Sequence, residues 1–398
     1  MKSVKNIDRD ICLSGLFREV IKKPLFEYLG EYCRAANEEE KLLAYSSFVS
    51  VIYESGLSLS ALVAKYVFED ENAYIRKRAK GVIPEEYLER SMKREMAAFS
   101  ALASLSAADF AADMAISDIP EYATENIDFI KEYEARIRNI EKHGYGIFSS
   151  FGMFRIDDGL QIEPIISRDK VSVDSFIGYE DQRAAVIENT RAFINGLPAA
   201  NVLLTGDAGT GKSSTVKAVA NNFYSEGIRL IELRKDQLHA LPAIMARISG
   251  NPLKFIIFID DLSFNKNDDN FSMLKAALEG SASALANNAI IYATSNRRHI
   301  IKESFSDREG NDVHRNDTVA ETLSLSERFG LTVLFSKPDK KLYLEIIHEL
   351  AQRYGVNMPG DELDIGAEAF ALRRGNRSAR CAEQYIKSLV SKGAGQEV

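Results

Sequence analysis

Residues 201–220, NVLLTGDAGTGKSSTVKAVA, constrain the fold more than any other stretch of this chain. The short, mostly apolar run Val202–Thr205 reads as a strand. The helix-like STVKAVANNF begins a few residues later. Between them, Gly206-Asp207-Ala208-Gly209-Thr210-Gly211-Lys212-Ser213 fits the phosphate-loop pattern G-x-x-x-x-G-K-[ST] in full. The glycines let backbone N–H groups wrap a polyphosphate, and the helix N-terminus favours the same anion. Gly206 through Ser214 are therefore candidate phosphate contacts. Lys212 is expected to supply a charge to the β- and γ-phosphates of ATP, and the Ser213 hydroxyl a ligand to Mg²⁺.

A second stretch, FIIFIDDLSF at residues 255–264, runs five apolar residues into two adjacent carboxylates. An apolar run this dense belongs inside a sheet covered on both faces. Two acids at its end repel each other and lose hydration, so they need a task. Beside a phosphate loop, Asp260 is expected to hold Mg²⁺ or its water, and Asp261 to face the attacking water as base.

Strand-like runs NVLLTG, RLIEL, FIIFID, AIIYATS and LTVLF alternate with helical ones, which argues for a parallel α/β sheet with helices on both faces. Upstream, residues 1 to about 145 carry helical periodicity, with Asn126 expected to cap IDFIKEYEARIRNIEKHG. FRIDDGLQIEPI then alternates about Asp158-Gly159 and reads as a hairpin connector. Past Lys337-Pro338 the pattern is all helical. The expected domains are thus an N-terminal helical domain over 1–165, an α/β core carrying the phosphate loop over 166–338 and a helical domain over 339–398. The polar stretch 302–317, KESFSDREGNDVHRND, is expected to form a surface segment.

Charge and cysteines narrow the partners. Of the net −8, −6 lies in residues 1–170, with 23 basic against 29 acidic side chains. That lacks the basic excess that non-specific nucleic-acid binding needs. Cys12, Cys33 and Cys381 form no CxxC pair, and three cysteines do not make a disulfide framework. The opening MKSVKNIDRDICLSG places acids where a signal peptide would be apolar, and FSALASLSAADFAADMAIS is interrupted by Asp109 and Asp113. A cytoplasmic chain with no membrane partner is expected.

The order of phosphate loop, FIIFIDD, YATSN, SERFG and GNRSAR resembles an AAA+ ATPase from about Phe176 to Leu389. More narrowly, NTRAFINGLPAANVLLTGDAGTGKSS, DDLSF, YATSNRRHI and LSLSERFG are similar to a bacterial family of uncharacterised P-loop ATPases known only as a domain of unknown function. The resemblance implies an AAA+ P-loop sheet with a C-terminal helical lid. In DSFIGYEDQ it implies adenine contacts at Ile177 and Gly178. It implies that Asn296 senses the γ-phosphate from a strand between the phosphate-loop strand and the acid-bearing strand. Arg328 matches an arginine finger that reaches the nucleotide of the next subunit. Arg377 matches the lid arginine at the γ-phosphate, with Arg380, one turn on, as the alternative.

Two departures bear on activity. Most of the superfamily has Asp-Glu where this chain has Asp260-Asp261. The shorter acid displaces the carboxylate by about 1 Å, enough to cost ~100-fold in rate. The aromatic–apolar–Gly loop of protein-threading members is missing from RKDQLHALPAIMARISG. The expectation is a homo-oligomer, hexamer or spiral, that hydrolyses ATP slowly to remodel or load a protein partner held by the N-terminal domain. An ATP-gated switch with little turnover, and a helicase-loader-like ATPase associated with nucleic acid, are the alternatives.

Overall fold

The computed structural model describes residues 3–116, 118–166, 172–263, 269–278, 287–296 and 327–393. The stretch 302–317 lies outside the described residues. The chain divides into two compact units, Met1–Phe151 with Gly250–Leu253, and Gly152–Ser249 with Lys254–Val398.

The first unit is helical, as its periodicity requires. Its helices are α1 (Val4–Cys12), α2 (Pro24–Arg34), α3 (Glu38–Ser55), α4 (Leu59–Phe68), α5 (Ala73–Ala79), α6 (Glu86–Ala103), α7 (Ala107–Met114), α8 (Phe129–Arg138) and α9 (Ile140–His143). Side-chain caps start several of them: Asn37 accepts from the Glu40 N–H, and Ser58 from the Ala61 N–H. Asp128, not Asn126, caps α8 by accepting from the Lys131 N–H, because residues up to 128 remain extended. Edge-on aromatic pairs fill the core, with Phe99 5.6 Å from Phe17 and 5.8 Å from Phe26 between ring centres. Glu95, only 1% exposed, is satisfied by the N–H groups of Gly15, Leu16 and Phe17 at 3.1–3.2 Å. Among the described residues no single helix is long and apolar enough to cross a membrane.

The second unit is built on one sheet of seven strands: β1 (Met153–Ile156), β2 (Ile162–Pro164), β3 (Val202–Gly206), β4 (Ile228–Leu233), β5 (Lys254–Ile259), β6 (Ala289–Ser295) and β7 (Leu331–Phe335). Their order is β2-β1-β4-β5-β6-β3-β7, parallel throughout except for the β1–β2 hairpin. The hairpin read from sequence as a connector is therefore the edge of the sheet. β1 pairs with β4 through the edge that β2 leaves open, and the break between units falls before it, at 151/152. α10 (Glu180–Ile194) and α11 (Lys212–Asn222) pack Val186, Phe193, Val216 and Val219 against Leu204, Phe258, Tyr292 and Phe335. Strand residues of the opposite parity, such as Leu203, Ile257 and Ile291, are also buried, so both faces are covered. This is the parallel α/β sheet with helices on both faces expected above. β4 is followed by a tight turn over Lys235–Ala240 and by α12 (Leu241–Ile248).

The lid is three helices, α14 (Lys340–Arg353), α15 (Gly360–Arg374) and α16 (Ala379–Gly393), following α13 (Asp269–Leu278) in chain order. Tyr343, Ile347, Ala367, Ala382 and Ile386 form its own small core. The chain enters it through Asp339, which caps α14 by accepting from the Leu342 N–H at 2.8 Å.

One buried acid in the first unit gives a pH test. Asp70 accepts from Asn72 Nδ2 at 2.9 Å, and burial pushes its carboxyl up from 3.8 to about 6. A raised acid binds its proton more tightly when folded, so its effect on stability is absent below pH 3.8 and grows less favourable as pH rises to 6. Two units correspond to about 3 kcal/mol, reduced to ~1–2 kcal/mol by the residual solvent contact. Asp70→Asn should therefore stabilise the protein by ~1–2 kcal/mol at pH 7 in urea unfolding. That advantage should shrink by more than half at pH 4.5; an advantage independent of pH would contradict the assignment.

Candidate nucleotide site

β3 ends in the loop, and the loop's shape follows from its glycines. Gly206 has φ +133°, and a Cβ there would lie 1.9 Å from the Phe335 carbonyl oxygen, its register partner on β7. Only glycine lets the two backbones approach so closely. Gly209 (φ +80°) and Gly211 (φ +93°) reverse the chain twice before α11 begins at Lys212. Alternation of left- and right-handed residues turns N–H groups to one side, which makes an anion-binding concavity at a helix N-terminus. Thr210, 3% exposed, braces the loop by donating to Asp207 O at 2.9 Å.

Lys212 is only 5% exposed. Its Nζ donates to Gly206 O at 2.9 Å, to Asp207 O at 2.7 Å and to Asn296 Oδ1 at 2.9 Å. Burial pulls its pKa below 10.5, opposed by the carboxylates of Asp207, Asp260 and Asp261. The Asn296 amide then donates to Asp261 Oδ1 at 2.7 Å. Asn296 thus links the loop's ammonium to the second acid. It can do so because β6 lies between β3 and β5, as the resemblance implied.

Asp260 stands apart from its neighbour. Its Oδ1 accepts from Ser213 Oγ at 2.6 Å and from Thr294 Oγ1 at 2.5 Å. Thr294 Oγ1 in turn accepts from the Asp261 N–H at 2.9 Å. Asp261 has φ +52°, a left-handed conformation uncommon for a side-chain-bearing residue and found mostly where the surroundings enforce it. Here Thr294 enforces it, and the turn sends the two adjacent carboxyls to different partners. The sequence reading missed Thr294. It lies in the quoted YATSN, but only the β5–β6 register, Ile259 opposite Ala293, brings its hydroxyl level with Asp260.

These groups line one end of a cavity of about 680 Å³, within the usual range for a small-ligand site. Ala208, Gly209, Thr210, Gly211, Ser213 and Ser214 all border it. The other end is apolar, with Ile177, Tyr179, Ile346, Leu350 and Tyr354. Gly178 (φ +69°) turns the chain beside Leu342, where a Cβ would come within 2.5 Å of Cδ1. Two arginines brace this end: Arg183 donates to Gly178 O and Arg353 to Ser175 O.

The two arginines named for the γ-phosphate, Arg377 and Arg380, are placed differently. Arg377 is not at the cavity. Its guanidinium makes a fork to Glu368 within the lid, at 2.9 and 2.7 Å, and is spent there. Arg380 borders the cavity instead, and its N–H donates to Gly209 O at 3.4 Å. Arg377 precedes α16 while Arg380 lies in its first turn, and the motif alone does not place that helix start. Arg328 is half-buried at the helical end just before β7 and does not border the cavity.

The donor set fits Mg²⁺. Ser213 Oγ and Asp260 Oδ1 are hard oxygens side by side, and magnesium takes one or two such ligands together with phosphates and water. No cluster of three or more His, Cys, Asp or Glu that could hold a metal ion occurs among the described residues.

A family model described as a protein of unknown function, DUF815, matches residues 150–393. The chain belongs to that family. The matched span begins almost where the second unit does. Among solved structures the DUF815 chain is similar to the Thermotoga maritima RuvB Holliday junction branch migration motor, at 20% identity, 55% of this chain and TM-score 0.38. It spans 64% of that RuvB chain. It is also similar to AMPPCP-bound DnaA from Aquifex aeolicus, at 18% identity over 56% of this chain and 66% of that one, TM-score 0.39. No curated protein matches.

The loop geometry sets a stability test. Gly206→Ala places a methyl group into the Phe335 carbonyl and should cost at least about 3 kcal/mol. Gly211→Ala, with open space around the added carbon, carries only the backbone strain and should cost about 1–2 kcal/mol. Equal losses in urea unfolding would show that β3 and β7 are not in contact at Gly206.

Proposed function

We propose that this DUF815 protein binds ATP with Mg²⁺ and hydrolyses it slowly to remodel or load a protein partner. The observation that carries the reading is the chain Lys212–Asn296–Asp261 set over a glycine cradle, beside the separate pair Ser213–Asp260. In this reading the loop N–H groups and Lys212 hold the phosphates. Ser213 and Asp260 hold Mg²⁺, which neutralises phosphate charge when bound. The apolar end of the cavity, Ile177 with Ile346 and Leu350, takes the base, with Gly178 shaping the turn beside it. Asp261 accepts the proton of the attacking water on Oδ2, since Oδ1 is engaged by Asn296. Arg380 is the lid arginine that faces the phosphates.

A slow cycle is supported by Asp261 itself. It is the shorter acid, its backbone is left-handed, and its carboxyl is tethered by Asn296. The same facts support an ATP-gated switch with little turnover as the second reading. Arg328, away from its own cavity, acts in this proposal on the nucleotide of a neighbouring copy. The chain then works as a hexameric ring or spiral, with the helical unit engaging the protein partner. The acidic N-terminal half disfavours a nucleic-acid partner.

Lys212→Ala should lose MgATP binding in calorimetry while retaining the fold, because the charge-assisted contact made from inside the loop is lost. Asp261→Asn should bind MgATP as the wild type does and lose at least ~100-fold in turnover. Tight binding by Lys212→Ala would refute the phosphate site; undiminished hydrolysis by Asp261→Asn would move the base elsewhere.

A further inference from the structure

Asp207 carries contacts that phosphate binding does not require. Its N–H donates to Phe335 O at 3.2 Å, and its Oδ2 accepts from the Lys337 N–H at 3.0 Å. It thereby grips the backbone on both sides of Ser336, the first residue past β7. The Ser336 carbonyl accepts from the Tyr179 hydroxyl at 2.6 Å, and the Tyr179 ring packs on Phe335 at 5.3 Å. This segment is the covalent link from the sheet to the lid, with Pro338 and the α14 cap Asp339 directly following. The lid meets the loop at a second place. At the start of α16, the Arg380 N–H donates to Gly209 O, and a Cβ on Gly209 would lie 3.1 Å from Ser378 Oγ.

Asp207 is also tied to Lys212. Its carbonyl accepts the Lys212 ammonium at 2.7 Å, the shortest of that group's three hydrogen bonds. We propose that Asp207 is a positioning residue that couples the phosphate loop to the lid. Its peptide responds to where the Lys212 ammonium points, and its carboxylate holds the lid connector through Lys337. The proposal rests on the reading of the loop as a phosphate site. When the ammonium turns from the Gly206 and Asp207 carbonyls toward a phosphate, the Asp207 carbonyl loses its charged partner and keeps only the Thr210 hydroxyl, so its peptide shifts toward Thr210. That shift moves the carboxylate on which Lys337 hangs. The lid, with Arg380, then shifts about Lys337-Pro338. One residue thus joins both ends of the lever, because its carbonyl meets Lys212 and its carboxylate meets Lys337.

Amide exchange of the full chain tests this without relying on turnover. In nucleotide-free protein, Asp207→Ala should speed exchange across the 335–342 connector by roughly tenfold, the effect of one lost hydrogen bond. Asp207→Asn keeps an acceptor oxygen and should stay near the wild type. Added ADP should shift connector exchange at least about threefold in the wild type. It should leave the connector of Asp207→Ala unmoved at an ADP concentration that saturates that variant in calorimetry, since the loop binds phosphate through main-chain N–H groups that the substitution keeps. Unchanged exchange in nucleotide-free Asp207→Ala, or exchange in Asp207→Asn as fast as in Asp207→Ala, overturns the clamp. Equal ADP responses in wild type and Asp207→Ala overturn the coupling. If the wild type binds no ADP, the phosphate reading falls and the coupling with it, while the nucleotide-free comparison still decides the clamp.

Discussion

The buried ammonium of Lys212 is the constraint on which the site depends. A charge at 5% exposure is strongly unfavourable unless its donors are all engaged. Three oxygens meet that need, two from the main chain where β3 ends and one from Asn296. Turning the Gly206 and Asp207 carbonyls inward to the ammonium fixes the local backbone, with glycine where the reversal needs left-handed conformations. The third oxygen sets a demand on topology. It must come from the strand beside β3, and β6 is that strand.

The same economy explains two adjacent acids. Side chains of neighbouring residues on a regular strand point to opposite faces. Asp260 is the first residue past β5, where the strand has ended, and the left-handed turn at Asp261 lets both carboxyls serve one site from different sides. Thr294 supports this by accepting from the Asp261 N–H while donating to Asp260. A single hydroxyl thus positions one acid and bends the backbone of the other. The strain at Asp261 is held by three strands whose register is set by full burial.

Much of this was legible in the sequence, and the reasons are specific. Five of the six parallel strands, β3 to β7, were readable because each is a short run rich in apolar residues. The phosphate loop was readable because it is local: eight consecutive residues carry it. Asn296 and the acids were readable through motif order. The hairpin at 153–164 was legible as a hairpin but not as a sheet edge, since nothing in an alternating strand names its partner. Arg377 illustrates the same limit. Glu368 lies on another helix and captures its guanidinium, leaving Arg380 at the cavity.

Local patterns by themselves determined the strand–loop–helix unit, the helical character of the first unit and the chemistry available near Lys212. They did so because backbone conformation and hydrophobic period are properties of a few consecutive residues. Only the tertiary structure decided which hydroxyl would organise the two acids, which lid arginine would face the cavity, and what Asp207 would hold. Those outcomes rest on hydrogen bonds between residues 34, 9 and 130 positions apart, Thr294 with Asp260, Arg377 with Glu368 and Lys337 with Asp207. Bonds of about 3 Å depend on strand register and helix rotation, and those are set by packing of the whole core.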